Sequence, residues 1–133
     1  MFEAINVYHV AFECAHLDIK PENFVYDSDT DTIRLIDFSG GYTQSFCSLN
    51  SSWKRLNNDI ESLAYCILYM NYGNRMWFKG GLESHVRRYK KHFAGMLLGL
   101  ESGIKYYCQQ LLHIANKPDQ YDYLQVLDIL KRI

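Results

Sequence analysis

The spacing of apolar and polar positions divides the chain into a helix, a hairpin and a run of helices. Residues 3–14 set Ile5, Tyr8, Val10, Ala11, Phe12 and Cys14 at mostly helical intervals, which predicts an opening helix. His16 to Asn23 breaks that rhythm, contains Pro21 and reads as loop. In NFVYDSDTDTIRLIDF, two short apolar runs at 24–26 and 33–36 flank a polar cluster at 27–32, the pattern of a β-hairpin. The stretch 39–57 is rich in Gly, Ser and Asn and reads as loop. Asn58 or Asp59 then caps a strongly apolar helix, DIESLAYCILYM, which Gly73 ends. A second loop carries Trp77 and Gly80-Gly81. Residues 83 to about 98 and 104 to about 115 follow as helices, the first with its basic face outward. Pro118 and Asp119 open a last helix, with Tyr123, Leu124, Leu127 and Leu130 as its apolar stripe. The sum is one mainly helical α+β domain over residues 1–133, its small hairpin buried among helices.

Composition narrows the function classes. A chain of 133 residues, 48% hydrophobic and 22% charged, can bury its own core, which argues against global disorder. Its 11 Tyr and 7 Phe point to a tightly packed aromatic core or to apolar surface that awaits a partner. A net charge of −1 gives no electrostatic case for nucleic-acid binding. The densest basic run, Arg87, Arg88, Lys90, Lys91 and His92, reads as a solvated helix face. Cys14, Cys47, Cys66 and Cys108 include no closely spaced pair, and three of them sit in apolar, helix-like contexts as small core residues. The N-terminus lacks the basic flank of a signal peptide, and no apolar run approaches the ~18 residues of a membrane span. A reduced intracellular compartment, cytoplasmic or nuclear, is expected, and the Asn50-Ser51-Ser52 sequon is discounted accordingly.

One constellation carries chemistry. Phosphoryl transfer needs a carboxylate for the hydroxyl proton, oxygen ligands for Mg²⁺ and a cation for the transferred group. Asp18 suits the first role, Lys20 the cation, and Asn23 and Asp37 the metal. The hairpin brings Asn23 at its start and Asp37 at its end to one edge.

His16, Asp18, Lys20, Pro21, Asn23, Asp37 and Phe38 together form H-x-D-x-K-P-x-N, a hairpin, then D-F. This resembles the catalytic loop and metal-binding segment of protein kinases. Downstream, NDIESLAYCILYMNYGNRMW is similar to a helix of the casein-kinase-1-like group, which includes the vaccinia-related kinases, through Asp59, Glu61, Ser62, Leu63, Tyr65, Tyr69, Asn71, Gly73 and Trp77. KPDQYDYL resembles that group's K-P-D-Y-x-Y-L with one inserted residue. The resemblance covers nearly all of the chain but only the C-terminal lobe of the family. It implies a kinase-like C-lobe in which Asp18 is the catalytic base, Lys20 reaches the transferring phosphate, and Asn23 and Asp37 hold the metal of Mg-ATP. It gives His16 a packing and hydrogen-bonding role and has Asp59 brace the loop from below, a role compatible with a plain helix cap.

The chain also departs from that pattern. Ser39 stands at the usual Gly, with Gly40 after it, and Met76 at the usual Pro. Leu17 replaces the Arg that in many kinases pairs with a phosphorylated loop, and only about twenty residues separate Asp37 from Asp59. Among the 133 residues there is no Gly-rich loop, no V-A-I-K lysine strand and no paired glutamate helix, the parts that cover the nucleotide. The expectation is a pseudokinase-type binding or regulatory module without autonomous activity. The alternative is a serine/threonine kinase completed by a partner; a non-kinase use also stays open. Either of the first two implies a protein partner: a kinase, a kinase substrate or a second copy. Mg-ATP binding by the isolated chain is expected to be weak or absent.

Overall fold

The computed structural model describes residues 1–38, 43–50, 52–73, 77–78, 81–95 and 103–133. Over these the elements run α1 (Phe2–Phe12), β1 (Phe24–Asp27), β2 (Thr32–Leu35), α2 (Asn57–Tyr72), α3 (Glu83–Gly95), α4 (Ile104–Ala115) and α5 (Tyr123–Arg132). A short 3₁₀ turn, Pro21–Asn23, leads into β1. The architecture is α+β and mostly helical, with one antiparallel hairpin. Ser39, Gly40, Ser51, Met76 and Gly80, on which parts of the sequence reading fall, lie outside the described residues, as does 96–102.

α2 is the axis of the fold. Ile60, Leu63, Ala64, Tyr65, Cys66, Ile67 and Leu68 are all buried, so apolar contact runs around the whole helix rather than along one stripe. α4 packs along it through Cys108, Leu111, Leu112 and Ala115, and α5 in turn packs on α4 through Val126 and Ile129. The polar residues in the first turns of α2 are buried as well, and they hold loops. Asn57 bonds the Lys117 and Asp119 carbonyls at 3.2 and 2.8 Å and receives the Tyr121 N–H at 2.8 Å. Asn58 donates to the Ser52 carbonyl at 2.8 Å. A buried polar group costs little only when bonded, so these side chains fix where each loop lies.

That use of side chains corrects two expected boundaries. Asn58 and Asp59 do not cap α2; the helix begins at Asn57 after Leu56, without a side-chain cap bond, because both side chains are turned to other loops. The last helix does not start at Pro118 and Asp119. The backbone of 117–121 is bonded to Asn57, and α5 begins at Tyr123, capped by Asp122 accepting from Gln125 N–H at 3.1 Å. Its buried face is Val126 and Ile129; Leu124 is exposed, while Tyr123, Leu127 and Leu130 pack partly against the core.

Three further expectations change. The hairpin is not buried among helices: Val25, Tyr26 and Ile33 are exposed. Its register pairs Phe24 with Leu35 and Asp27 with Thr32. Lys90 is not on a solvated face but is 1% exposed. Of the cysteines, Cys66 and Cys108 are core residues, while Cys14 and Cys47 are half-buried. Gly73 ends α2 as expected, at φ 59, with its N–H on the Tyr69 carbonyl. Among the described residues no helix is long and apolar enough to cross a membrane.

Candidate functional site

The 16–23 loop is hung between α1 and β1 at fixed points. α1 stops at Glu13, whose φ of 53° turns the chain and whose N–H bonds the His9 carbonyl. Ala15 N–H donates to the Trp53 carbonyl at 2.7 Å. Ile19 is buried in the core, and its carbonyl accepts the Cys66 thiol at 3.7 Å. Pro21 sets the 3₁₀ turn that delivers Asn23, with its N–H on the Lys20 carbonyl at 3.0 Å. Ile19, buried between them, fixes the backbone from which Asp18 and Lys20 project.

Asp18, Lys20 and Asn23 are brought together. Asn23 Nδ2 donates to the Asp18 carbonyl at 2.8 Å and to its Oδ2 at 3.3 Å. Lys20 Nζ stands 3.8 Å from Asp18 Oδ2. Thr43 completes the group: its hydroxyl donates to Asp18 Oδ1 at 3.0 Å and accepts from Lys20 Nζ at 2.9 Å. A carboxylate with so little exposure is tolerable because an amide, a hydroxyl and an ammonium surround it. The cluster thus sets a carboxylate and an ammonium on either side of the Thr43 hydroxyl.

Asp59 holds this loop from beneath. Fully buried, it accepts His16 N–H at 2.6 Å and Leu17 N–H at 2.9 Å. It also accepts His9 Nε2–H at 2.7 Å. Leu17 has a φ of 72°, costly for a branched side chain by about 1–3 kcal/mol, and the paired N–H bonds hold it there. His16 ties the loop to the hairpin. Its Nδ1 accepts Asp18 N–H at 3.2 Å, which assigns the proton to Nε2, and Nε2–H donates to the Ile36 carbonyl at 3.1 Å.

Asp37 lies at the far end of the hairpin, beside Asn23. Ile36 N–H donates to the Asn23 carbonyl at 2.8 Å, so Asp37 is one residue past the point where the ladder closes. It has a φ of 63° and an exposed side chain. Phe38 then lays its ring on Tyr8, 5.5 Å between centroids. For a hard cation, the Asn23 amide oxygen and the Asp37 carboxylate are suitable donors: Asn23 spends its nitrogen on Asp18, which leaves the oxygen as its acceptor. Two protein oxygens fit Mg²⁺ only when phosphate and water supply the rest. Among the described residues no cluster of three or more His, Cys, Asp or Glu forms a metal site.

Sequence reasoning missed Thr43, His9 and Tyr121. Thr43 sits in an aperiodic stretch, where its only distinction is to be the single Thr between Asp37 and Asp59. His9 lies one helical turn beyond Ile5 on the buried face of α1, with Nδ1 2.8 Å from the Tyr121 hydroxyl. That spacing was the available signal. Burial, helped by the nearby Asp59 charge, pushes the Tyr121 phenol up to about 12. No protein-family model matches the chain, and no curated protein is significantly similar to it.

Proposed function

We propose that residues 1–133 form a protein-kinase-like C-lobe of the casein-kinase-1-like kind, working as a pseudokinase-type docking or regulatory module and not as a catalyst by itself. The observation that carries this reading is the convergence of Asp18, Lys20 and Asn23 at one end of a loop that Asp59 braces through two backbone N–H groups. Four residues that the kinase resemblance marks out serve one loop in space. In this reading Asp18 stands where a base would orient a hydroxyl. Lys20 stands where a cation would offset phosphoryl charge, and Asn23 and Asp37 would hold Mg²⁺. When bound, the metal would supply charge neutralisation between phosphates.

The docking half of the proposal rests on surface. Val7, Val10 and Phe12 of α1 are 67%, 74% and 61% exposed, and Phe38 beside them is 61% exposed. Val7, Phe12 and Phe38 border a groove of about 760 Å³ between α1, β2 and α5. Apolar surface this concentrated favours a protein partner. Without groups to cover a nucleotide, the 133 residues by themselves are expected to bind Mg-ATP weakly, since catalysis draws on positioning and on fixed charges together.

The test is a thermal-shift titration with ATP and MgCl₂. No shift is expected. The second reading, a serine/threonine kinase completed by a partner, is favoured by the intact geometry around Asp18. It would take over if Mg-ATP raised Tm, Asp37→Ala removed that rise, and casein phosphorylation disappeared in Asp18→Asn.

A further inference from the structure

The segment 43–49 lies across the site end of the molecule with neither helix nor strand, yet side chains from α2, α3 and Trp77 hold its backbone. Trp77 Nε1–H donates to the Ser45 carbonyl at 2.8 Å. Glu61 accepts Leu49 N–H at 2.8 Å and the Ser48 hydroxyl at 2.9 Å. Arg87 donates to the Leu49 carbonyl at 3.1 Å. At the centre is Lys90, whose Nζ donates to the Gln44 carbonyl at 2.8 Å and the Cys47 carbonyl at 2.7 Å. The same nitrogen lies 3.9 Å from Cys47 Sγ and 4.7 Å from the Tyr65 ring centroid. An ammonium has three donors; two meet carbonyls and the remainder faces sulfur and ring. Burial holds this ammonium below the ordinary lysine value; Cys47 and then Glu61 work against that loss, while the Arg87 charge adds to it.

Thr43 is the other end of the same turn. Its carbonyl accepts Phe46 N–H at 2.9 Å and Cys47 N–H at 2.8 Å, while its hydroxyl bridges Lys20 and Asp18. The turn is thus closed on Thr43 and fastened at Gln44 and Cys47 to α3. We propose that Lys90 is a positioning residue of the candidate site: by fastening the 43–47 turn to α3, it sets the Thr43 hydroxyl between Asp18 and Lys20. The proposal rests on reading the 16–23 loop as the site.

The experiment is NMR on the folded chain with labelled Thr methyl groups, comparing wild type, Lys90→Met and a core control, Val126→Ala in α5. In Lys90→Met the Thr43 methyl is expected to shift and broaden, and Phe46 and Cys47 amide exchange to quicken by about tenfold or more. Val126→Ala should lower Tm without either effect. An unmoved Thr43 methyl in a folded Lys90→Met, or an equal movement in Val126→Ala, overturns the proposal. If Lys90→Met does not fold, wild-type exchange in sub-denaturing urea decides. The Lys90 ammonium and the Phe46 and Cys47 amides should open as one unit with a common urea dependence. Separate openings overturn it. None of these readouts uses nucleotide, so failure to bind Mg-ATP counts against the site reading and leaves this result standing.

Discussion

Asp59 concentrates more of the site's geometry than any residue that faces solvent there. Its carboxylate joins α1 through His9, the loop through His16 and Leu17, and α2 through its own backbone. Asp59→Ala would leave the buried His16 N–H, the part-buried Leu17 N–H and a buried imidazole without their acceptor. At about 1–3 kcal/mol for each unsatisfied group, partly relieved by water, the expected loss is about 3–5 kcal/mol of unfolding free energy in urea. Asp59→Asn keeps one acceptor oxygen and should lose less. An Asp59→Ala chain as stable as wild type would show that the loop holds itself. The role of Asp59 was expected only from the resemblance of its stretch to a casein-kinase-1-like helix, since its distance from the 16–23 loop departs from that pattern. Lys90 was not legible for the opposite reason: helical periodicity assigns a Lys among basic neighbours to water. The Gln44 and Cys47 carbonyls, the Cys47 sulfur and the Tyr65 ring, all distant in sequence, make a buried ammonium acceptable. Thr43 was hidden likewise, because its partners are tertiary and its neighbours have no period.

Among the elements, those whose ends are set locally were read correctly and those set by distant side chains were not. α4 spans Ile104–Ala115 as its apolar rhythm predicts, and Gly73 stops α2 because a positive φ suits glycine. The hairpin strands were found within a residue at each end, since the polar turn between them is a local signal. α5 shows the contrary case. Pro118 and Asp119 look like a helix start, but Asn57 captures the carbonyls of Lys117 and Asp119, which holds that backbone away from helical bonding. The start moves to Asp122, whose carboxylate takes the Gln125 N–H. Asp122→Ala should therefore cost about 1 kcal/mol, measured as a lowered urea midpoint with an unchanged m-value. Asp119→Ala, tested beside it, should change stability by less than about 0.5 kcal/mol, because its carbonyl and not its side chain makes the bond. A larger loss from Asp119→Ala would place the cap where the sequence pattern first put it.

At the scale of the whole molecule, the core that positions the site is built around buried phenols and thiols, which sets how stability depends on alkaline pH. Burial pushes the Cys108 thiol from its ordinary 9.0 up to about 12, and Tyr121 from 10.0 up to about 12. Tyr65 and Cys66, both on α2, are shifted upward in the same sense by burial, with the Glu61 carboxylate adding to the effect on Tyr65. In each case the folded chain keeps a proton that the unfolded chain has released. Between pH 9 and 12 the unfolded state therefore binds fewer protons than the native state, and unfolding free energy must fall as pH rises. The stabilisation these groups supply is complete below pH 9 and lost as pH climbs through about 12. Urea unfolding at stepped pH should show that decline, and phenolate absorbance should show some of the 11 tyrosines ionising only as helical signal is lost. Tyr121→Phe separates the contributions. It removes one titrating group together with its bonds to His9 and Asn6, so it should start less stable at neutral pH and fall less steeply above pH 10. If all tyrosines instead ionise together near 10 while the helices persist, the phenols are not buried as described. The α2-centred core beneath the 16–23 loop would then have to be redrawn.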